Sequence, residues 1–260
     1  MGAAIAGWGT RTAEARNAHA GRFETLHYGD HPRMAIDLYR VADGTAPRPL
    51  VVFIHGGFWK AVSAAESGFV VGGWTRRGVD VAVLDYVLAP EATLPEIVAQ
   101  VRAGLAFIAG RAPALSIDPG RIVLVGHSVG AQLAAMSQCG VPEGAALPAR
   151  GLVLVSGVFA LEPVRHSYVN DTVRMTADDA GAFSPVRFCP ARPLPLVVAV
   201  GEREPIAFHE QSRLFAWTWR EAGCPVDFLL MPGRQHFDML DLVADPFSPL
   251  GQGIARLLGA

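Results

Sequence analysis

Short apolar runs rich in β-branched residues recur along this chain with helix-period segments between them, and that alternation restricts the fold more than any other feature. Runs of this kind are strands buried on both faces, and helical segments between consecutive strands are the crossovers that parallel pairing requires. Strands are expected at 23–28, 35–41, 50–55, 80–85, 121–126, 151–156, 194–201 and 226–231, eight in all. The first two are joined by the turn sequence Gly29-Asp30-His31-Pro32, which makes them an antiparallel hairpin at the sheet edge. Apolar residues at three- and four-residue spacing predict helices over 61–77, 95–110, 128–139 and 206–222, with a terminal helix over 246–258. The interval 158–193 shows no clear strand, and so long an irregular stretch in a compact domain is a lid or binding loop rather than a linker. The expected fold class is α/β: an eight-stranded, mostly parallel sheet flanked by helices, with a short lid after the sixth strand, in a single domain spanning 1–260.

Composition narrows the function. With 51% hydrophobic residues in 260, the chain can fill a sizeable core. A net charge of −2 leaves no electrostatic footprint for nucleic acid or an anionic membrane. All but one of the 22 basic residues are arginine, scattered along the chain, the exception being Lys60. Cys139, Cys189 and Cys224 lie at wide, unpatterned spacing, which argues against both a disulfide framework and a zinc site. The start of the chain lacks the basic residues and the apolar run of a secretory signal, and no stretch reaches the ~18 apolar residues of a membrane span. A soluble cytoplasmic enzyme acting on a small-molecule substrate is expected, with no nucleic-acid or membrane partner; a homodimer is the one assembly left open.

The chemistry is carried by Gly126-His127-Ser128-Val129-Gly130, which closes one strand and opens a helix rich in small residues. A serine on that sharp corner is presented as a nucleophile, and the glycines are there because a side chain at either position would meet the neighbouring strand or helix. Upstream, the strand ending at Ile54 runs into His55-Gly56-Gly57-Phe58-Trp59. Successive glycines after a buried strand let backbone N–H groups face a carbonyl oxygen, so Gly56, Gly57 and Phe58, with Val129 after the nucleophile, are the candidate oxyanion donors. A serine hydroxyl needs a histidine base, and that base needs a carboxylate. Of the eight histidines, His236 stands in a polar loop straight after the last strand, while His55 and His127 flank the two motifs as rivals. His19, His27, His31, His166 and His209 read as surface or structural. The carboxylate should follow the seventh strand, where Gly201-Glu202-Arg203-Glu204-Pro205 offers two glutamates; Glu204, farther past the strand end, is preferred and Glu202 stays open. Asp227 and Asp238 are less well placed.

With these residues assembled, the chain resembles the α/β-hydrolase superfamily, and within it the kynurenine formamidase (arylformamidase) group and its HGG-type esterase relatives. The resemblance runs over nearly the whole chain and includes Asp37-Leu38-Tyr39, the HGGFW stretch, Leu84-Asp85-Tyr86-Val87-Leu88-Ala89-Pro90-Glu91, GHSVG, and Phe208-His209-Glu210-Gln211-Ser212. That group generally uses aspartate as the triad acid, and Glu204 occupies the matching position here. The resemblance implies a serine hydrolase of the α/β-hydrolase fold that removes the formyl group from an aromatic amine through a formyl-enzyme intermediate. Ser128, Glu204 and His236 form its triad, and neither metal nor cofactor is required. A formyl group is the smallest acyl, so a bulky ring such as Trp59 can close the acyl side, and Phe58, His127, Tyr168 and Phe237 are the candidate substrate contacts. Core packing is the competing reading of the aromatics and the preferred one for Tyr86 and Phe183, which are otherwise available as apolar walls; Asn170, Arg174 and Ser184 are candidates by position for the polar end. A carboxylesterase with the same triad is the first alternative, and a non-catalytic binding protein on the same scaffold is the second.

Overall fold

The computed structural model describes residues 2–42, 47–140 and 149–259. Eight strands, β1 (Phe23–His27), β2 (Ala35–Tyr39), β3 (Arg48–Ile54), β4 (Asp80–Leu84), β5 (Ile117–His127), β6 (Gly151–Val155), β7 (Leu196–Gly201) and β8 (Val226–Met231), form one sheet in the order β1-β2-β4-β3-β5-β6-β7-β8. β1 and β2 are an antiparallel edge hairpin, β2 lies antiparallel to β4, and every later pairing is parallel.

Side chains on the central strands alternate between two cores, as the period of two along a strand demands. Leu50, Val52 and Ile54 of β3, Leu124 of β5 and Leu152 and Leu154 of β6 face one side. There they pack under α3 (Leu94–Arg111), α4 (Val129–Met136) and α8 (Ile206–Glu221). Val51, Phe53, Val123, Val125, Val153 and Val155 face the other, against α1 (Gly2–Ala18), α9 (Met239–Ala244) and α10 (Pro249–Leu258). The helix starts follow local chemistry. Thr93 receives the Glu96 carboxylate on its N–H at 2.7 Å ahead of α3, and Ser248 accepts from Gly251 N–H at 2.8 Å ahead of α10, where Pro249 opens the first turn.

Three expectations need correction. No continuous helix spans 61–77: α2 covers only Ala64–Ser67, followed by 3-10 turns at Gly68–Val71 and Thr75–Arg77. The chain must turn at Gly72, whose φ is 41°, because it runs against α9 so closely that a Cβ there would sit 1.9 Å from the Ala244 carbonyl oxygen. The terminal helix begins at Pro249 rather than 246, since 245–248 form the turn out of α9. The segment 158–193 is not irregular: it carries α5 (Glu162–Arg165), α6 (Asn170–Val173) and α7 (Ala177–Ala182), pinned by buried Phe159, Leu161, Val169, Val173 and Met175. These helices are too short for a periodic apolar stripe, so only their burial in the finished fold reveals them. Helix α1 was also not anticipated, and its Trp8 packs on Phe69 with ring centroids 5.7 Å apart.

Candidate active site

The loops after β3, β5 and β8 line one cavity, and the loop after β7 reaches it through Glu204 beneath His236. Ser128 stands between β5 and α4 with φ 57° and ψ −122°, a strained corner that holds only because both flanks are fixed. A Cβ on Gly126 would lie 2.4 Å from the Gly130 carbonyl oxygen, and one on Gly130 would lie 2.1 Å from that of Ile54. Glycine at those two positions is what lets strand, corner and helix close up around the serine. Ser128 N–H donates to Val155 O at 2.9 Å, tying the corner to β6.

The loop after β3 is pressed onto that corner. A Cβ on Gly56 would lie 2.9 Å from Ser128 Cβ, and Gly57, Phe58 and Trp59 then take positive φ in succession. His55 anchors this turn. One ring nitrogen faces Gly56 O at 2.8 Å and the other faces Asp85 Oδ1 at 3.1 Å, while the ring stacks on Tyr86 with centroids 4.3 Å apart. Asp85 also accepts from Arg33 and from Tyr86 N–H, each at 2.8 Å. Burial alone would raise the Asp85 carboxyl, but the His55 ring, Arg33 and the Tyr86 N–H outweigh it and hold it below its ordinary range.

Glu204 is buried beneath His236. Its Oε2 lies 2.7 Å from His236 Nδ1, and its Oε1 accepts from Ser156 Oγ at 2.5 Å and from Gly201 N–H at 2.7 Å. A carboxylate acceptor means that Nδ1 carries a proton, leaving Nε2 of a neutral ring as its basic nitrogen. Burial raises the Glu204 carboxyl, yet His236, Ser156 and Gly201 together bring it below the ordinary range, so it stays ionised. The loop bearing His236 is tied to the β7 end by Arg203 N–H to Arg234 O at 2.8 Å. Glu202 points elsewhere and accepts from Gly233 N–H at 2.7 Å. Asp227 is exposed and paired with Arg256, and Asp238 accepts from Gln235 N–H at 2.8 Å. Of the four candidate carboxylates, Glu204 is the one that meets His236.

His127 is buried with its Nε2–H donating to His236 O at 2.9 Å, and the two rings lie 4.6 Å apart. Burial, and then the neighbouring His236, push His127 well below its ordinary 6.5, so it is neutral. Phe208 covers another side of the His236 ring at 4.5 Å.

Gly56, Gly57, Phe58, His127, Ser128, His236 and Phe237 line a cavity of about 70 Å³, with Ile5, Trp8, Phe53 and Leu240 as further apolar walls and Lys60 at its edge. Val129 follows Ser128 as the first residue of α4. Other expected substrate contacts fall outside this cavity. Trp59 is fully buried in the core, its indole N–H donating to Gln132 Oε1 at 3.2 Å. Trp8 and Ile5 line the cavity instead. Tyr168 is 69% exposed on a neighbouring concavity of about 240 Å³, which shares Phe58 with the cavity and is otherwise walled by residues including Val158, Pro163, Val164 and Phe208. Tyr86 and Phe183 pack in the core, the reading preferred for them from the sequence. Asn170 closes a turn through Met175 N–H at 2.6 Å, Ser184 is buried with its hydroxyl donating to Ala180 O at 2.6 Å, and Arg174 is exposed in the left-handed turn after α6. None of the three lines either concavity. Sequence reasoning missed Trp8 and Ser156, since nothing in pattern ties a residue near the start of the chain, or a serine at a strand end, to a loop far along the chain, 48 positions away in the case of Ser156 and Glu204.

A strained serine at a strand-to-helix corner, a histidine after the last strand and a carboxylate after the strand before it, on this sheet order, define an α/β-hydrolase. A family model described as BD-FAE matches residues 36–143. Kynurenine formamidase of Salmo salar is 30% identical over 244 residues, spanning 89% of this chain and 80% of that protein. An isoprenylcysteine α-carbonyl methylesterase of Arabidopsis thaliana is 35% identical over 127 residues, 49% of this chain and 29% of that one. The crystal structure of a Silicibacter protein superimposes with a TM-score of 0.84 at 30% identity, covering 95% of this chain and 91% of that one. The chain belongs to the kynurenine formamidase family, and it is a hydrolase.

Proposed function

We propose that the protein hydrolyses the formyl amide of an aromatic amine, a substrate like N-formylkynurenine, with Ser128, His236 and Glu204 as the catalytic triad. The observation that carries this reading is the small, largely apolar space beside Ser128, about 70 Å³, next to an open apolar concavity of about 240 Å³. The first admits a small acyl group and the second an aryl leaving group. Ser128 Oγ attacks the formyl carbon as His236 Nε2 takes its proton, and Glu204 stabilises the imidazolium through Nδ1–H. The oxyanion is received by N–H groups of Gly57 and Val129, with Phe58 or Gly56 completing the set. His236 then protonates the departing amine, and water releases formate from the formyl-serine by the same route. His127, neutral beside His236, adds no competing positive charge as the imidazolium forms.

The same reading takes the chain as one domain acting in the cytoplasm, with 158–193 as the lid. The same triad cleaves esters, whose leaving groups depart more easily, and the methylesterase similarity keeps a carboxylesterase as the second reading. Labelling with a serine-directed fluorophosphonate and mapping the adduct by mass tests the nucleophile: it should fall on Ser128, and an unlabelled wild type would remove the hydrolytic assignment. Ester turnover without any formamide turnover would select the second reading.

A further inference from the structure

We propose that Lys60 forms an anion-binding subsite beside the candidate active site, which selects substrates whose leaving group carries a carboxylate. The inference rests on the hydrolytic reading of the Ser128 site and names the recognition that reading leaves open. Lys60 is the sole lysine of the chain. It follows the turn after β3, lines the Ser128 cavity, and is half-buried. Its Nζ lies 3.4 Å from Thr172 Oγ1 and 5.4 Å from the centroid of the Tyr168 ring, so the ammonium is held where the cavity meets the concavity walled by Phe58, Tyr168 and Phe208.

The electrostatics of that place favour an anion. Among the described residues no ion pair engages Lys60, and no aspartate or glutamate lines either concavity. The remaining titratable groups on the cavity wall are His55, whose ring nitrogens are taken up by Gly56 O and Asp85, His127, which is neutral, and His236. An ammonium whose partners among the described residues are a hydroxyl and a ring face gains a charge-assisted hydrogen bond when a carboxylate arrives, with no competing carboxylate to displace. An aryl ring on Phe58 and Phe208 would direct a short acid-bearing chain toward Nζ. Phe58 is the link, since it lines both spaces.

The test compares two formamides that differ only in charge, 3-(2-formamidobenzoyl)propanoate and its neutral primary amide, with formyl loss followed by absorbance of the freed amino ketone. Wild type should prefer the acid in kcat/KM, and in Lys60→Met the acid-to-amide ratio should fall about tenfold to thirtyfold, mainly through KM. Lys60→Arg should recover most of that ratio, and raising ionic strength should lower it in wild type. An unchanged ratio in Lys60→Met, or a wild type indifferent to the acid, overturns the subsite. If neither formamide is turned over, inhibition of p-nitrophenyl acetate hydrolysis by 3-benzoylpropanoate, compared with its amide, carries the same test. Stronger inhibition by the acid that is lost in Lys60→Met supports the subsite even as the formamidase reading falls. Equal inhibition by both overturns it.

Discussion

The two sides of the cavity are built differently. On the side of Ser128, Glu204 and His236, position is set by close backbone packing and short hydrogen bonds: a serine corner clamped between two close-packed glycines, and a carboxylate fixed by Ser156 Oγ, Gly201 N–H and His236. Along the rest of the lining, position is set by side chains from distant parts of the chain: Ile5 and Trp8 of α1 and Leu240 of α9, with Tyr168 of the segment 158–193 on the neighbouring concavity. Under the proposed function, the first side sets reaction type and the second selectivity. Strained corners and buried carboxylates tolerate almost no substitution, whereas apolar walls can be exchanged at modest cost.

The largest effect that could break this division is loss of the base. His236→Ala should lower kcat by about 10⁴-fold or more with little change in fold, read by steady-state turnover beside circular dichroism. Residual turnover within tenfold of wild type would move the base to another histidine. Next comes the acid. Glu204→Gln should cost about 10³ to 10⁴ in kcat, while Glu202→Gln, whose target carboxylate only caps Gly233, should stay within about twofold. The reverse pattern would reassign the acid. Ser156→Ala removes a 2.5 Å donor from Glu204 and should lower kcat by about tenfold. On the selectivity side, Trp8→Ala should widen the acyl space and raise the p-nitrophenyl butyrate to acetate ratio several-fold, about fivefold, leaving the triad in place. An unchanged ratio would show that the wall does not limit the acyl group.

The smallest effect concerns pH. His127 is held well below 6.5 in the fold, so below pH 6.5 the unfolded chain binds a proton that the folded protein does not. Its contribution to stability is complete above pH 6.5 and declines as the pH falls, at up to about 1.4 kcal/mol per pH unit. Glu204, whose folded value is depressed below 4.5, adds a loss of the same sign, beginning only as the pH falls through 4.5. Urea unfolding midpoints between about pH 7.5 and about pH 5.5 should therefore drop in wild type and drop less in His127→Gln. Equal slopes would show that His127 does not titrate with folding.

What could be read from sequence follows the same division. The strands, the hairpin edge, GHSVG, HGG and the order of Ser128, Glu204 and His236 were readable because each depends on local pattern: period-two burial, glycine where a Cβ cannot fit, and loops at successive strand ends. Trp59 misled because its neighbour Phe58 reaches the cavity while its own indole is held in the core by Gln132. Trp8, Ser156 and the short helices of 158–193 could not be read, since their roles arise from contacts across the sheet that no window of sequence contains. Lys60 was visible as the single lysine, but its place beside Tyr168 and Thr172 was not.

The central claim is that Ser128 removes a formyl group from an aromatic amine. The most direct measurement is the rate of formate release from N-formylkynurenine by wild type and by Ser128→Ala at equal concentration. The account predicts saturable turnover in wild type and a loss of about 10⁴-fold or more in the variant. No formate from wild type, or formate released at similar rates by both, would contradict it.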